Sequence, residues 1–187
     1  MAIRSIFAAL LLMFVCACGA SISSAPALPS TIAGAYQLGS GDEVRISVYG
    51  FDVMANTSYV VSDEGAVSLP ILGSVSVSGK STTQAEKQIA DALVARQLAV
   101  QPNVSVQIVK YRPFFILGEV RNPGSYQYVP GMSVLTAISI AGGHTFRANR
   151  KNYGISRTAS GSIVKGKAVE STPVLPGDTV IVYEAWF

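Results

Sequence analysis

The chain has 187 residues, 49% of them hydrophobic and 13% charged. That is enough apolar material for one ordinary domain or two small ones, and too much for a chain disordered throughout. The formal net charge is +3, with Lys and Arg scattered instead of gathered into a stripe, which argues against a nucleic-acid binder.

The first 20 residues, MAIRSIFAALLLMFVCACGA, divide into a short segment carrying Arg4, an apolar run over 6–15, and small residues around Ala17. This is the pattern of an export signal, too short to span a bilayer as a mature helix. Both cysteines, Cys16 and Cys18, lie at its end, so disulfide and thiol chemistry are not expected beyond it. Val15-Cys16-Ala17-Cys18 resembles the lipobox of bacterial lipoproteins, departing from it in Val15, where Leu is commoner, and in Cys16 ahead of the cleavage point. The resemblance implies a signal peptide over 1–17 and lipidation of Cys18. Gly19, in place of an acidic residue, implies sorting to the outer membrane. Several acyl chains would anchor stably where one binds only marginally. An ordinary secretory signal cut after Ala17 or Ala20 is the alternative. Residues 18–35, rich in Ala, Ser and Pro and without period, read as a flexible tether, reaching about 55 to 60 Å when extended.

Folded structure is expected from Tyr36. After the turn at Gly41-Asp42, Val44, Ile46 and Val48 alternate with polar residues, the period of a half-buried strand. Short strands follow at 58–62, 66–70 and 74–78, with turns at Asp63 to Gly65 and at Leu72-Gly73, just beyond Pro70, as a meander of hairpins. The period then changes. In STTQAEKQIADALVARQL, Ala85, Ile89 and Leu93 share one helical face while Glu86, Lys87, Asp91 and Arg96 mostly face away. Ser81 or Thr82 caps the helix, with Gln84 or Glu86 placed for a capping box. Pro102 lies beyond its end.

Strands at 103–110 and 114–120, the latter containing Gly118, flank Pro113. Pro123-Gly124 marks a turn and 126–129 a strand. Ser133 caps a helix over 134–141, stopped by Gly142-Gly143. Strands near Ile155 and Ile163 and a last one after Gly177-Asp178 complete an α+β chain of two small modules, each a curved β-sheet with one helix, divided near Arg112.

YQLGSGDEVRISVYG, VVSDEGAVSLPILGSVSVSGKSTTQAEKQIADAL and PNVSVQIV together resemble the N-terminal domain of outer-membrane polysaccharide export proteins. ILGEVRNPGSYQYVPGMSVLTAISIAGG and the ending LPGDTVIVYEAWF resemble the soluble-ligand-binding β-grasp domain, SLBB, that follows it in that family. The resemblance implies an export domain over 36–112 and an SLBB β-grasp domain over 113–187. It further implies a subunit of a translocon for capsular or extracellular polysaccharide, anchored at the outer membrane, facing the periplasm and forming a homo-oligomeric ring. The expected partners are the polysaccharide and an inner-membrane polysaccharide co-polymerase, in some members coupled to a kinase. Larger members carry more β-grasp repeats and a C-terminal amphipathic helix. The ending at Trp186-Phe187 raises the expectation of a periplasmic ring or adaptor working with a separate outer-membrane pore protein.

An enzymatic role finds little support. His144 in AGGHTFRA reads as a surface loop residue, and the acidic pairs Asp42-Glu43 and Asp63-Glu64 place neighbours on opposite faces of a strand or in turns, unlike two carboxyls facing across a sugar. No cofactor, metal set or catalytic residue is expected. Tyr111, Phe114, Phe115, Tyr126 and Tyr128 read as core or subunit-interface residues. The competing class is a monomeric lipoprotein binding a saccharide or other soluble ligand; a closed ring seen by native mass or electron microscopy favours transport, and a monomer binding oligosaccharide tightly favours the alternative. The two Gly-Asp turns, at Gly41-Asp42 and Gly177-Asp178, are read as structural devices that each launch a strand.

Overall fold

The computed structural model describes residues 35–51, 57–159 and 161–185. The expected signal peptide, Cys18 and nearly all of the tether lie outside the described residues. The fold is α+β, with ten strands and two helices among the described residues. Its buried apolar side chains form two clusters, one drawn from Leu38 to Val106 and the other from Phe114 to Val182.

In the first, β1 (Glu43–Val48) runs antiparallel between β2 (Ser58–Val60) and β5 (Val104–Lys110). Val44, Ile46 and Val48 point inward while Glu43, Arg45 and Ser47 alternate outward, as a period of two requires. The expected meander is corrected: β3 (Ala66–Leu69) and β4 (Gly73–Ser76) form a separate two-stranded hairpin. The Ser62 to Gly65 turn folds the chain away after the three-residue β2. The second edge of β1 is left for β5, which returns after the helix.

That helix, α1 (Thr82–Ala95), starts at Ser81, whose Oγ accepts the Gln84 N–H while Gln84 Oε1 accepts the Ser81 N–H. Two of the four unpaired N–H groups of the helix start and its cap are thereby satisfied. Ala85, Ile89 and Leu93 are completely buried. Glu86, expected to face away, instead accepts the Val106 N–H at 2.9 Å and covers the open edge of β5.

The second cluster lies under a five-stranded sheet. It is built from β6 (Phe114–Gly118), β7 (Gly124–Tyr126), β8 (Ala148–Ala159), β9 (Ser162–Ala168) and β10 (Thr179–Glu184), in the order β7-β6-β10-β8-β9. The first and last of these strands in the chain, β6 and β10, are parallel neighbours at the centre, a β-grasp-like arrangement. Helix α2 (Val134–Ile140), capped by Ser133, packs Val134, Ala137 and Ile138 into the cluster. The strand expected at 126–129 is shifted to Gly124–Tyr126. Tyr126 pairs with Phe114, the first residue of β6, and Pro113 beyond it has no N–H to offer a longer ladder. Among the described residues no helix is long and apolar enough to cross a membrane.

Candidate functional site

Two turns of like design open β1 and β10. In Gly39-Ser40-Gly41-Asp42 the Asp42 N–H donates to the Gly39 carbonyl at 3.1 Å, and Asp42 Oδ2 accepts the Gly39 N–H at 2.8 Å. In Leu175-Pro176-Gly177-Asp178 the Asp178 N–H donates to the Leu175 carbonyl at 3.1 Å, and Asp178 Oδ2 accepts the Leu175 N–H at 2.8 Å. Gly41 and Gly177 stand third in their turns at φ +86° and +85°, the conformation a type II turn demands and a side chain resists.

Both carboxylates are buried, at 0% and 1% exposure, and a buried charge needs a partner. Asp178 receives a two-pronged grip from Arg157, Nη2 at 2.7 Å and Nε at 2.9 Å. Asp42 receives the Arg112 backbone N–H at 2.8 Å, Arg112 Nη1 at 3.2 Å and the Tyr36 hydroxyl at 2.7 Å. Burial, and then the bond to Asp42, push the Tyr36 hydroxyl well above its ordinary range, so it stays a donor.

Arg112 joins the two turns. It lies between β5 and β6, and its Nε donates to the Pro176 carbonyl at 3.2 Å while the Gly177 N–H donates to the Pro113 carbonyl at 3.0 Å. Its guanidinium also sits 5.7 Å from the centre of the Tyr36 ring. A Cβ on Gly39 would lie 1.9 Å from Arg112 Nη1, and one on Gly177 would lie 2.9 Å from its Nε. The two apolar clusters are thus tied at one residue by a carboxylate from one side and a carbonyl from the other. The sequence singles out both aspartates, but marks Arg112 only as the division between the modules and Arg157 not at all. A usable signal was the need of a buried Asp for a guanidinium.

Tyrosines surround this joint. The Tyr36 and Tyr111 rings meet edge to face at 5.0 Å, and Tyr111 and Tyr128 at 5.4 Å. Phe114 and Tyr128 are buried, and Tyr111 and Tyr126 pack partly buried against the same cluster. Phe115 stands apart, 42% exposed on the opposite face of the sheet.

The other turn residues are dispersed. Gly65 (φ +77°) ends the turn before β3; Pro70 and Gly73 (φ +65°) bound the β3–β4 connection; Pro123 precedes β7, which Gly124 opens; Gly142 and Gly143 follow α2 at φ +84° and +89°. Gly118 (φ +90°) is the most constrained, since a Cβ there would lie 2.1 Å from the Val182 carbonyl oxygen. Of the acidic pairs, Asp42 is saturated by its turn and by Arg112, and Asp63 accepts the Ser40 hydroxyl at 2.8 Å. His144, expected at the surface, is half-buried: its Nε2 lies 3.0 Å from the hydroxyl of the completely buried Tyr153. Burial, helped by Arg150, holds its imidazole below the usual 6.5. These groups brace the fold. Among the described residues no three His, Cys, Asp or Glu side chains gather as a metal site.

A family model described as polysaccharide biosynthesis/export protein matches residues 30–109, and an SLBB domain model matches 113–167. The exopolysaccharide production protein ExoF of Rhizobium meliloti (strain 1021) is 33% identical over 118 residues, covering 58% of this chain and 28% of that protein. The EPS I polysaccharide export outer membrane protein EpsA of Ralstonia solanacearum is 33% identical over 89 residues, 46% of this chain and 23% of its own. The capsule polysaccharide export outer membrane protein CtrA of Neisseria meningitidis is 28% identical over 127 residues, 66% of this chain and 31% of its own. The chain spans under a third of the length of each relative. With two α+β units whose order is that of the two matched models, the chain belongs to the polysaccharide export proteins in which a biosynthesis/export domain is followed by an SLBB domain.

Proposed function

We propose that this protein is a subunit of the machinery that exports capsular or extracellular polysaccharide through the cell envelope, acting as a passive conduit or adaptor ring and not as a catalyst. The observation that carries the reading is the serial order of the two matched domains, together with three relatives whose names describe exopolysaccharide production or polysaccharide export. Its buried carboxylates support a mechanical role, because Asp42 and Asp178 are spent on turns and arginines. A conduit also has to bind its cargo weakly and repeatedly so that the polymer moves on.

We divide the chain at Arg112 into an export domain over 36–112 and an SLBB β-grasp domain over 113–187, anchor it through a lipid on Cys18 at the periplasmic side of the outer membrane, and assemble it as a homo-oligomer. Its partners in this reading are an inner-membrane co-polymerase and an outer-membrane pore protein. Deletion of the gene in its host is expected to strip polysaccharide from the cell surface while polymer accumulates inside the envelope, and a plasmid copy is expected to restore it. Undiminished surface polysaccharide in the deletion strain would overturn the reading.

A further inference from the structure

The central strands β6 and β10 are apolar on both faces. Inward, Phe114, Ile116, Val180 and Val182 are buried in the core. Outward, Phe115 is 42% and Leu117 51% exposed, with Thr179 and Ile181 beside them in register. Apolarity on both faces is the pattern of strands covered on both sides, as parallel pairs usually are. Yet α2 and Val174 pack on the inner face, and no described element covers the outer one. The three-stranded sheet behaves differently: Arg45, Ser47, Ser58, Ser105 and Gln107 give it a polar outer face suited to water.

The uncovered face has a shape and a charge. Gly154 lies on it, where a Cβ would come within 2.4 Å of the Tyr183 hydroxyl, so the hydroxyl end of Tyr183 occupies the space a side chain there would need. On β9, Lys165 opposite Ser156 and Lys167 opposite Gly154 rim the shelf. The charge of the chain is also divided. Residues 35–111 carry seven Asp and Glu against five Lys and Arg, whereas 112–187 carry four against eight. The edge strand β2 ends in Val60, 62% exposed, with Asp63 and Glu64 exposed in the turn that follows. An apolar group beside two acids complements an apolar shelf rimmed by two lysines.

We propose that the outer face of the five-stranded sheet, centred on Leu117, docks the β2 edge and the Asp63-Glu64 turn of a second copy of this chain. Two such shelves placed face to face would set lysine against lysine, so electrostatics selects the head-to-tail contact. Such contacts close into a ring or run on as a filament. The contact rests on the reading of the chain as an oligomeric export subunit.

The test is the mass of the full mature protein in detergent, followed against concentration. Lys165→Glu with Lys167→Glu, Asp63→Lys with Glu64→Lys, and separately Leu117→Ser are each expected to raise the concentration of half-assembly at least about tenfold. All three are expected to keep the far-ultraviolet spectrum of the wild type. A chain carrying all four charge reversals is expected to assemble again. Assembly indifferent to these changes, or lost without rescue in the four-fold variant, overturns this contact and leaves the export reading standing. A wild type that is monomeric at every concentration overturns the oligomeric reading itself, even where deletion still abolishes export.

Discussion

Asp42 and Arg112, 70 residues apart in the chain, meet twice: the Asp42 carboxylate takes both the backbone N–H of Arg112, at 2.8 Å, and its guanidinium, at 3.2 Å. One carboxylate therefore closes its own turn, pins the connection between the two sheets and neutralises the cation that also reaches the Pro176 carbonyl. Asp42→Ala leaves the partly buried Gly39 and Arg112 N–H groups without their acceptor and the arginine without its counter-charge. A loss of about 3 to 5 kcal/mol is expected, measured by urea unfolding, with Asp42→Asn losing less because one carbonyl acceptor remains.

Gly118 and Gly73 separate strain from clash. Both have positive φ, but a Cβ at Gly73 meets nothing within 4 Å, whereas one at Gly118 meets the Val182 carbonyl at 2.1 Å. Gly73→Ala is expected to cost about 1 kcal/mol. Gly118→Ala is expected to cost at least about 3 kcal/mol, because the parallel β6–β10 pairing has to shift. Denaturant midpoints compared side by side check the ranking.

Tyr59 tests the opposite case. Its hydroxyl is buried without a hydrogen-bond partner, so the polar atom costs desolvation and returns nothing. Tyr59→Phe is expected to leave stability unchanged or raise it by up to about 1 kcal/mol, read as an unchanged or higher thermal midpoint.

The pH dependence centres on His144. Burial, reinforced by Arg150 and opposed by Glu170, favours its neutral form, so the folded chain binds fewer protons there than the unfolded one. Stability is therefore full above 6.5, the unfolded value, and falls as acid carries the solution below it toward the lower folded value. His144→Gln is expected to flatten that part of a stability profile against pH. An unchanged slope would assign the acid sensitivity to other groups.

Lipid attachment is tested directly. Labelled palmitate is expected to enter the wild-type protein expressed in its host, and to be absent from Cys18→Ser, which then leaves the membrane fraction. Label retained in Cys18→Ser would refute the lipidation reading.

Much of the local structure was legible in the chain because it depends on near neighbours. The capping box at Ser81 and Gln84 and the buried stripe of Ala85, Ile89 and Leu93 follow from helical geometry alone. The pairing departs from a meander because strand pairing depends on which edge is open, and the second edge of β1 is filled by β5, which follows α1 in the chain. Nor did the strand-forming residues Gln127 to Val129 extend β7, since their would-be partner begins at Phe114.

The turns that launch β1 and β10, the faces of the helices and the α+β character all follow from backbone preference and hydrophobic period over a few residues, and so can be read from the chain. The convergence of the two Gly-Asp turns on Arg112, with Gly41 and Gly177 136 positions apart, emerges in the folded chain alone. Only there, too, did Phe115 and Leu117 part from Phe114 and Ile116 to face outward. A buried carboxylate draws whichever guanidinium the fold brings within reach, and a sheet has two faces of which one core covers one.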